Sequence, residues 1–294
     1  MSLGPLPQRI DVEADLVRRL IDSRFPQWRY FPIRPVANGG WDNWTFHLGP
    51  AMSVRLPSAA EYALAVEKEH RWLPRLAPRL PLPVPVPLAQ GSPGFGYPFS
   101  WSVYPWIDGT PLTPGALTDP PAFAASLAGF LLALRAVDPG DGPAPGLHNW
   151  YRGGSLRRYD GEFQRALGLL GDRVDADRAR VLWKDALDAP WDGEPTWFHG
   201  DIALGNLLLD AAGDLSAVID FGTCGVGDPS CDLAIAWTVL TADARELFRA
   251  HLCVPAAEWT RGRGWALWKT LVTCAHSSSP EPFRALTEIL SPDA

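Results

Sequence analysis

The stretch from Thr196 to Gly222 constrains this chain most. It reads TWFHGDIALGN, then LLLDAAGDLSAVIDFG. Its apolar runs, TWF, LLL and LSAVI, are strand-length and too short for helices. Each ends or begins at a polar group: His199 and Asp201 after the first, Asn206 before the second, Asp220 after the third. Strands so bracketed place their polar ends around one cleft. A carboxylate and an amide oxygen together suit a hard cation such as Mg²⁺. A further carboxylate that is not a ligand can orient a hydroxyl and accept its proton. These are the parts phosphoryl transfer needs, because the protein there mainly positions groups and neutralises charge.

The rest of the chain divides by pattern. DVEADLVRRLIDSRF, 11–25, has helical spacing, with Asp11 as its cap. YFPIRPV, WTFHL and MSVRL read as strands, with the turn ANGGWDN between the first two. SAAEYALAVEKEHRWLPRL, 58–76, reads as a helix capped by Ser58, with Glu61 completing a capping box. PVPVPLA and YPFSWSVYPWI, around 83–107, read as two more strands, and the prolines put the first at a sheet edge. DGTPLTPGALTDPP then marks a linker. Helical patterns follow near 119–136, 156–170, 175–189, 242–251, 256–276 and 281–290, and DPSCDLAIAWTVL opens another. The expectation is an α+β fold in two lobes: an N-terminal antiparallel-sheet lobe, 1–107, with one helix packed on it, and a larger, mainly helical lobe, 108–294.

Several classes find no support. Only three lysines, Lys68, Lys184 and Lys269, stand against 23 arginines, and none follows a glycine, so there is no P-loop. No GxSxG elbow and no GxGxxG after a strand occur. The four cysteines lack CxxC spacing, which argues against zinc and reads as reduced, cytoplasmic thiols. No run of eighteen apolar residues and no basic start with an apolar core appear, so neither a membrane span nor a signal peptide is expected. Residues 1–107 hold 11 Lys/Arg and 8 Asp/Glu; residues 108–294 hold 15 and 25, net −10. That acidic second half argues against nucleic acid and would suit a cationic ligand.

HGDIALGN fits the kinase spacing His-x-Asp-x4-Asn, and DFG follows it. With GDPSCDLA at 227–234, GGWDNWTFHLG and VEKEHRWLPRL, the chain resembles the aminoglycoside phosphotransferase family from about residue 35 to 275. These are small-molecule kinases with a protein-kinase-like fold, and macrolide, choline and homoserine kinases belong among them. The resemblance implies that Asp201 is the catalytic base or orients the acceptor hydroxyl, and that Asn206 and Asp220 bind Mg²⁺. It implies structural support from His199, Asp228 and Asp232, with Asp228-Pro229 shaping a turn. Gly200 stands where protein kinases carry Arg, and no Ala-Pro-Glu follows DFG, which favours a small acceptor over a protein.

On the nucleotide side the resemblance calls for a cation on the third strand, and SVRLP offers Arg55 instead of lysine. Arginine keeps the charge and adds a fork for phosphate. Its partner would be Glu69, with Glu67 the runner-up. ANGGWDN, through Asn38, Gly39 and Gly40, would lie over the phosphates. VYPWIDG would be the hinge, offering the Pro105 carbonyl and the Ile107 N–H to ATP or GTP. For the acceptor, the candidates are Asp160 and Glu162, then Asp185, Asp188, Asp192 and Glu194, with Trp150, Tyr151, Trp183 and Trp191 nearby. An aminoglycoside would want the carboxylates; the aromatics could cradle a macrolide, box a choline-like ammonium, or pack the core. A non-catalytic nucleotide-binding protein and a metal-dependent hydrolase stand as alternatives. The first draws on the missing lysine; the second lacks histidines near the cluster.

Overall fold

The computed structural model describes residues 7–37 and 39–291, and its architecture is α+β, with an antiparallel sheet at the N-terminal end and helices dominating the rest. Helix α1 (Ala14–Arg24) buries Val17, Leu20 and Ile21, one stripe at helical spacing. Asp11 does not cap it: the N-cap is Glu13, whose carbonyl accepts from the N–H groups of Leu16 and Val17. Strands β1 (Ile33–Pro35), β2 (Asn43–Leu48) and β3 (Met52–Pro57) form a meander.

Helix α2 (Ala60–Leu76) follows. The expected Ser58 capping box is absent. The N-cap is Ala59, and the Ser58 hydroxyl donates instead to the Trp41 carbonyl at 3.1 Å, tying the strand exit to the β1–β2 loop. Along α2, Tyr62, Val66, Glu69, Leu73 and Leu76 share a buried stripe, as i, i+4, i+7 spacing requires. Its first half faces the sheet side, while Trp72, Leu73 and Leu76 join the core of the helical part, with Trp72 and Trp197 5.0 Å apart.

PVPVPLA is mostly not a strand. Prolines cannot donate to a ladder, and only β4 (Ala89–Gly91) pairs, at the sheet edge beside β5 (Trp101–Pro105). The sheet order is β1-β2-β3-β5-β4, antiparallel throughout. The Pro/Gly segment after it carries a short strand, β6 (Thr110–Pro111), which pairs with Leu208 and Leu209.

Helices α3 (Pro120–Arg135), α4 (Asp160–Leu170) and α5 (Ala176–Asp188) precede three short strands, β7 (Thr196–Phe198), β8 (Leu207–Leu209) and β9 (Leu215–Val218). Strand β10 (Gly225–Gly227) pairs with β7, and β8 pairs with β9. DPSCDLAIAWTVL is not one α-helix. Pro229–Ala234 winds as a 3-10 helix, and only α6 (Ile235–Thr238) is α-helical. Helices α7 (Ala242–Leu252), α8 (Ala256–His276) and α9 (Glu281–Leu290) complete the fold. Helix α8 runs through the core because Gly262 and Gly264 let it approach closely. A Cβ on Gly262 would meet that of Leu233 at 2.6 Å, and one on Gly264 would meet that of Ala186 at 2.4 Å. This depth brings Lys269, two turns on, to the catalytic loop.

Candidate active site

The loop between β7 and β8 is held from below by its own neighbours. Asp232 accepts from the N–H groups of His199, at 2.8 Å, and Gly200, at 2.6 Å, one on each carboxylate oxygen. Burial pushes the Asp232 carboxyl up, while His199 and these two N–H groups pull it back. His199 is fully buried; its Nε2 donates to the Ile219 carbonyl at 3.0 Å, and its Nδ1 accepts from the Asp201 N–H at 3.2 Å. It therefore links the strand leading to Asp220 with the residue that follows Gly200. Gly200 has φ +86°, and a Cβ there would meet the Thr223 carbonyl at 2.6 Å. No larger residue fits this backbone, which accounts for glycine in the middle of HGD.

Asp228 caps the 3-10 helix through the Ser230 N–H and forms a two-pronged pair with Arg261, at 2.7 and 3.1 Å. Asp232 thus braces the loop, while Asp228 ties the start of the same short helix to α8.

Asp201 is engaged at both oxygens. Oδ2 accepts from Asn206 Nδ2 at 3.0 Å, and Oδ1 is ion-paired with Lys269 of α8. Burial alone would push this carboxyl up; the charge and hydrogen bond of Lys269, with Arg152 and His199, together outweigh it, and Asp201 sits at about 2. Asn206 Nδ2 also donates to the Asp201 carbonyl. With its amide nitrogen spent in this way, the Asn206 carbonyl oxygen is left to face a cation. Asp220 sits at a left-handed φ of +66°, a conformation Asp tolerates better than most residues. Asn206 and Asp220 present oxygen atoms of the kind a hard cation such as Mg²⁺ takes. Among the described residues no group of three or more His, Cys, Asp or Glu gathers as a metal cage.

Arg55, on β3, donates to Asp220 Oδ1 at 3.1 Å. Its charge survives burial because Asp220, and then Glu69, favour it. The expected Arg55–Glu69 ion pair is not made: among the described residues, no such contact lies within 4 Å. Glu69 accepts from the Tyr104 hydroxyl instead. Burial raises the Glu69 carboxyl, although Arg55 and Tyr104 oppose that. Glu67 is exposed and Glu69 buried, so α2 turns Glu69 to the site.

The β1–β2 loop closes over this region: Asp42 and Asn43 line one small cavity with Arg55, Glu69, Tyr104 and Asp220. Gly39 and Gly40 lie exposed on the loop, and Asn38 lies outside the described residues. Burial first, and then the Asp220 carboxylate, push Asp42 up to about 6. At the end of β5, Pro105 pairs with Met52, and the Trp106 N–H is taken by the Ala51 carbonyl. Among the described residues, the Ile107 N–H has no backbone partner. A purine at this edge would find that donor beside the Pro105 carbonyl.

Asp160 and Glu162 are not at the acceptor face. Asp160 accepts from the Trp183 indole at 2.7 Å, and Glu162, buried, accepts from the Trp268 indole at 3.1 Å. Both are committed to holding tryptophans of the core. Asp188 pairs with Lys184 and Arg157 at the surface, and Asp192 and Glu194 are exposed. Trp150 packs on Tyr62, and Trp183 stacks on Phe163. What opens beside Asp201 is a different cleft, of about 650 Å³, lined by Ile202 and Ala203 of the loop, Lys269, Thr270 and Thr273 of α8, and Glu281 and Arg284 of α9. Leu117, Leu204 and Val239 add apolar walls.

Two lysines do work that their sequence context does not announce. Lys68, buried next to Glu69, donates to the carbonyls of Gly222, at 2.7 Å, and Cys224, at 3.0 Å. Burial pulls its ammonium down. It anchors the segment after Asp220 to α2. Lys269 pairs with a residue 68 positions earlier. The one available signal was scarcity: only three lysines occur, and two are at the site.

A family model described as the phosphotransferase enzyme family matches residues 33–265. No curated protein matches the chain. Solved structures do. A GDP complex of a mutant aminoglycoside 2'-phosphotransferase-IIIa superposes with TM-score 0.72 at 16% identity, over 96% of this chain and 97% of that one. A streptomycin–ATP ternary complex of APH(2")-IIa gives 0.61 at 15%, over 96% and 97%. An apo macrolide 2'-phosphotransferase from Brachybacterium faecium gives 0.59 at 21%, over 95% and 99%. At such identities the likeness is one of fold. No helix among the described residues is long and apolar enough to cross a membrane.

Proposed function

This chain belongs to the phosphotransferase enzyme family, and we propose that it moves the terminal phosphoryl group of ATP or GTP to a hydroxyl of a small, largely apolar molecule. One observation carries the reading. Asp201 is bonded to Asn206, whose backbone carbonyl accepts from the Ile219 N–H beside Asp220, the partner of Arg55, and it is flanked by residues that line the cleft. Donor and acceptor sides therefore meet at one carboxylate.

Arg55, the Ile107 N–H and the Pro105 carbonyl bind and orient the nucleotide, and Asn206 and Asp220 hold Mg²⁺. The bound cation supplies charge neutralisation for the phosphates. Asp201 accepts a hydrogen bond from the acceptor hydroxyl and aims its lone pair at phosphorus. A carboxylate held at about 2 is a weak base. It therefore orients the hydroxyl first and receives the proton only as the new P–O bond forms and the bond to the nucleoside diphosphate breaks. This late transfer suits a loose transition state.

The lining of the cleft bears on the acceptor. Besides Asp201 at its edge, the carboxylate among the described residues that line it is Glu281, set against Lys269 and Arg284 and several threonines. A polycation gains little there; a hydroxylated molecule with much apolar surface gains more. Among the structural neighbours, macrolide kinases match that description better than aminoglycoside kinases. Catalysis-free nucleotide binding is the second reading, favoured by Arg55 in place of lysine.

The test uses purified protein, labelled ATP and GTP, Mg²⁺, and a panel of macrolides, aminoglycosides, choline and amino-alcohols. Transfer is expected to fall by about 10²–10⁴-fold in Asp201→Ala, with nucleotide affinity retained. Turnover that persists in that variant removes Asp201 from its role. Nucleotide binding with no turnover in the wild type, by water or any acceptor, supports the second reading.

A further inference from the structure

We propose that Lys269 is a positioning residue of the reaction: its ammonium holds one oxygen of Asp201 on the cleft side and keeps that carboxylate off the cation site of Asn206 and Asp220. The inference rests on the kinase reading of the site but concerns a residue outside the stretch the family model matches, which ends at 265.

The geometry poses a problem that Lys269 solves. Asp201, Asn206 and Asp220 crowd into one loop pair, and Asp201 is already bonded to Asn206. A divalent cation between Asn206 and Asp220 would attract a third carboxylate so close by, since opposite charges a few ångströms apart in a poorly solvated site attract strongly. A carboxylate bound to the cation no longer presents a free oxygen to the hydroxyl. A competing fixed cation on the other side prevents that collapse. Lys269 is that cation: it is ion-paired with Oδ1 while Asn206 takes Oδ2. Both partners are partly exposed, 27% and 35%, and Lys269 lines the cleft. Helix α8 fixes the lysine because Gly262 and Gly264 seat it deeply. Arg55 cannot serve in this way, being paired with Asp220 on the donor side. Arg152 cannot either. It is buried, and its guanidinium donates to the Gly200 carbonyl and the Tyr159 hydroxyl. Thr270 and Thr273, neighbours of Lys269 on α8, line the cleft as well. One helix thus carries both the acceptor wall and the control of Asp201.

The experiment measures Mg²⁺ affinity in the presence of ADP or GDP by calorimetry, and slow ATP and GTP hydrolysis with water as acceptor, in the full chain. Lys269→Met is expected to bind Mg²⁺ about tenfold more tightly, because Asp201 joins the cation, and to hydrolyse roughly a hundredfold more slowly. Lys269→Arg should keep both close to wild type. In an Asp201→Asn background, Lys269→Met should no longer change Mg²⁺ affinity, since the coupling between the two residues is what is measured. Lys269→Gln repeats the test should the methionine variant fail to fold. The proposal is overturned by unchanged or weakened Mg²⁺ binding in Lys269→Met. A tightening that persists in the Asp201→Asn background, or hydrolysis close to wild type, also overturns it. A wild type whose nucleotide binding ignores Mg²⁺ overturns the kinase reading too; normal Mg²⁺ dependence with an indifferent Lys269 overturns this inference alone.

Discussion

The Arg55 guanidinium lies 3.1 Å from Asp220, across the cleft between the sheet and the helical part of the chain. The same arginine makes no ion pair with Glu69, whose carboxylate receives the Tyr104 hydroxyl. Arg55 therefore joins the two halves of the site through a residue that would also hold the cation. When a nucleotide enters, its phosphates and cation must share these two groups.

Arg55→Ala is expected to raise the Kd for ATP or GTP by about 10–100-fold, the loss of a charge-assisted phosphate contact. Arg55→Lys keeps the charge without the fork and should recover most of that affinity. Calorimetric titration of all three proteins decides it. Equal affinity in wild type and Arg55→Ala would take Arg55 out of the phosphate site.

Asp232→Asn should loosen the β7–β8 loop from its underside. The aspartate offers an oxygen to each of two N–H groups, His199 and Gly200. An amide has only one acceptor oxygen and would turn its NH₂ toward the other donor. A stability loss of about 1–3 kcal/mol is expected for the donor left unpaired in the interior, read by urea unfolding. The fall in kcat should exceed any change in nucleotide KM.

The lining of the cleft makes charge a lever on acceptor choice. Arg284→Glu places a second carboxylate near Glu281 and should lower KM for cationic acceptors several-fold, an effect that weakens as salt rises. Asp160→Asn should leave acceptor KM within about twofold, because Asp160 is spent on the Trp183 indole. Initial rates at two ionic strengths separate these outcomes. A large KM change in Asp160→Asn would return the acceptor to the α4 side.

Asp42 gives a pH signature. Its carboxyl, pushed up by burial and then by Asp220, titrates at about 6 in the folded protein and near 3.9 when unfolded. The folded form therefore holds the proton more tightly, and stability falls as pH rises from about 4 to about 6. Above that it levels off. Asp42→Asn should match wild type near pH 4 and be more stable by roughly 1 kcal/mol at pH 7.5, after allowance for partial exposure. Thermal unfolding at the two pH values measures this. A variant less stable than wild type at pH 7.5 would show that the Asp42 charge is stabilising.

Legibility followed distance along the chain. His199, Asp201, Asn206 and Asp220 lie within 22 residues, and their spacing between short apolar runs was enough to expect them around one cleft. Caps were read less well. Ser58 had a competing partner in the Trp41 carbonyl, and nothing local to 58–61 announces that. PVPVPLA, 83–89, reads as an edge strand in the sequence. Its prolines offer no N–H to a ladder, and pairing waits for Ala89. Acidic residues at 160 and 162 suggest a cationic acceptor, but in the fold each accepts from a tryptophan indole, Trp183 and Trp268.

The sequence by itself determined the α+β class, the polar loop of HGDIALGN with the DFG after it, and the buried stripe of α2, because each is written in local periodicity and short spacing. Only the tertiary structure decided which charges meet. Arg55 reaches Asp220 from 165 residues away, Lys68 reaches Gly222 from 154, and Lys269 reaches Asp201 from 68. No local pattern encodes such pairs. They depend on how deeply one helix seats against another, here on two glycines in α8, and on which of several nearby partners a buried charge takes once water is gone.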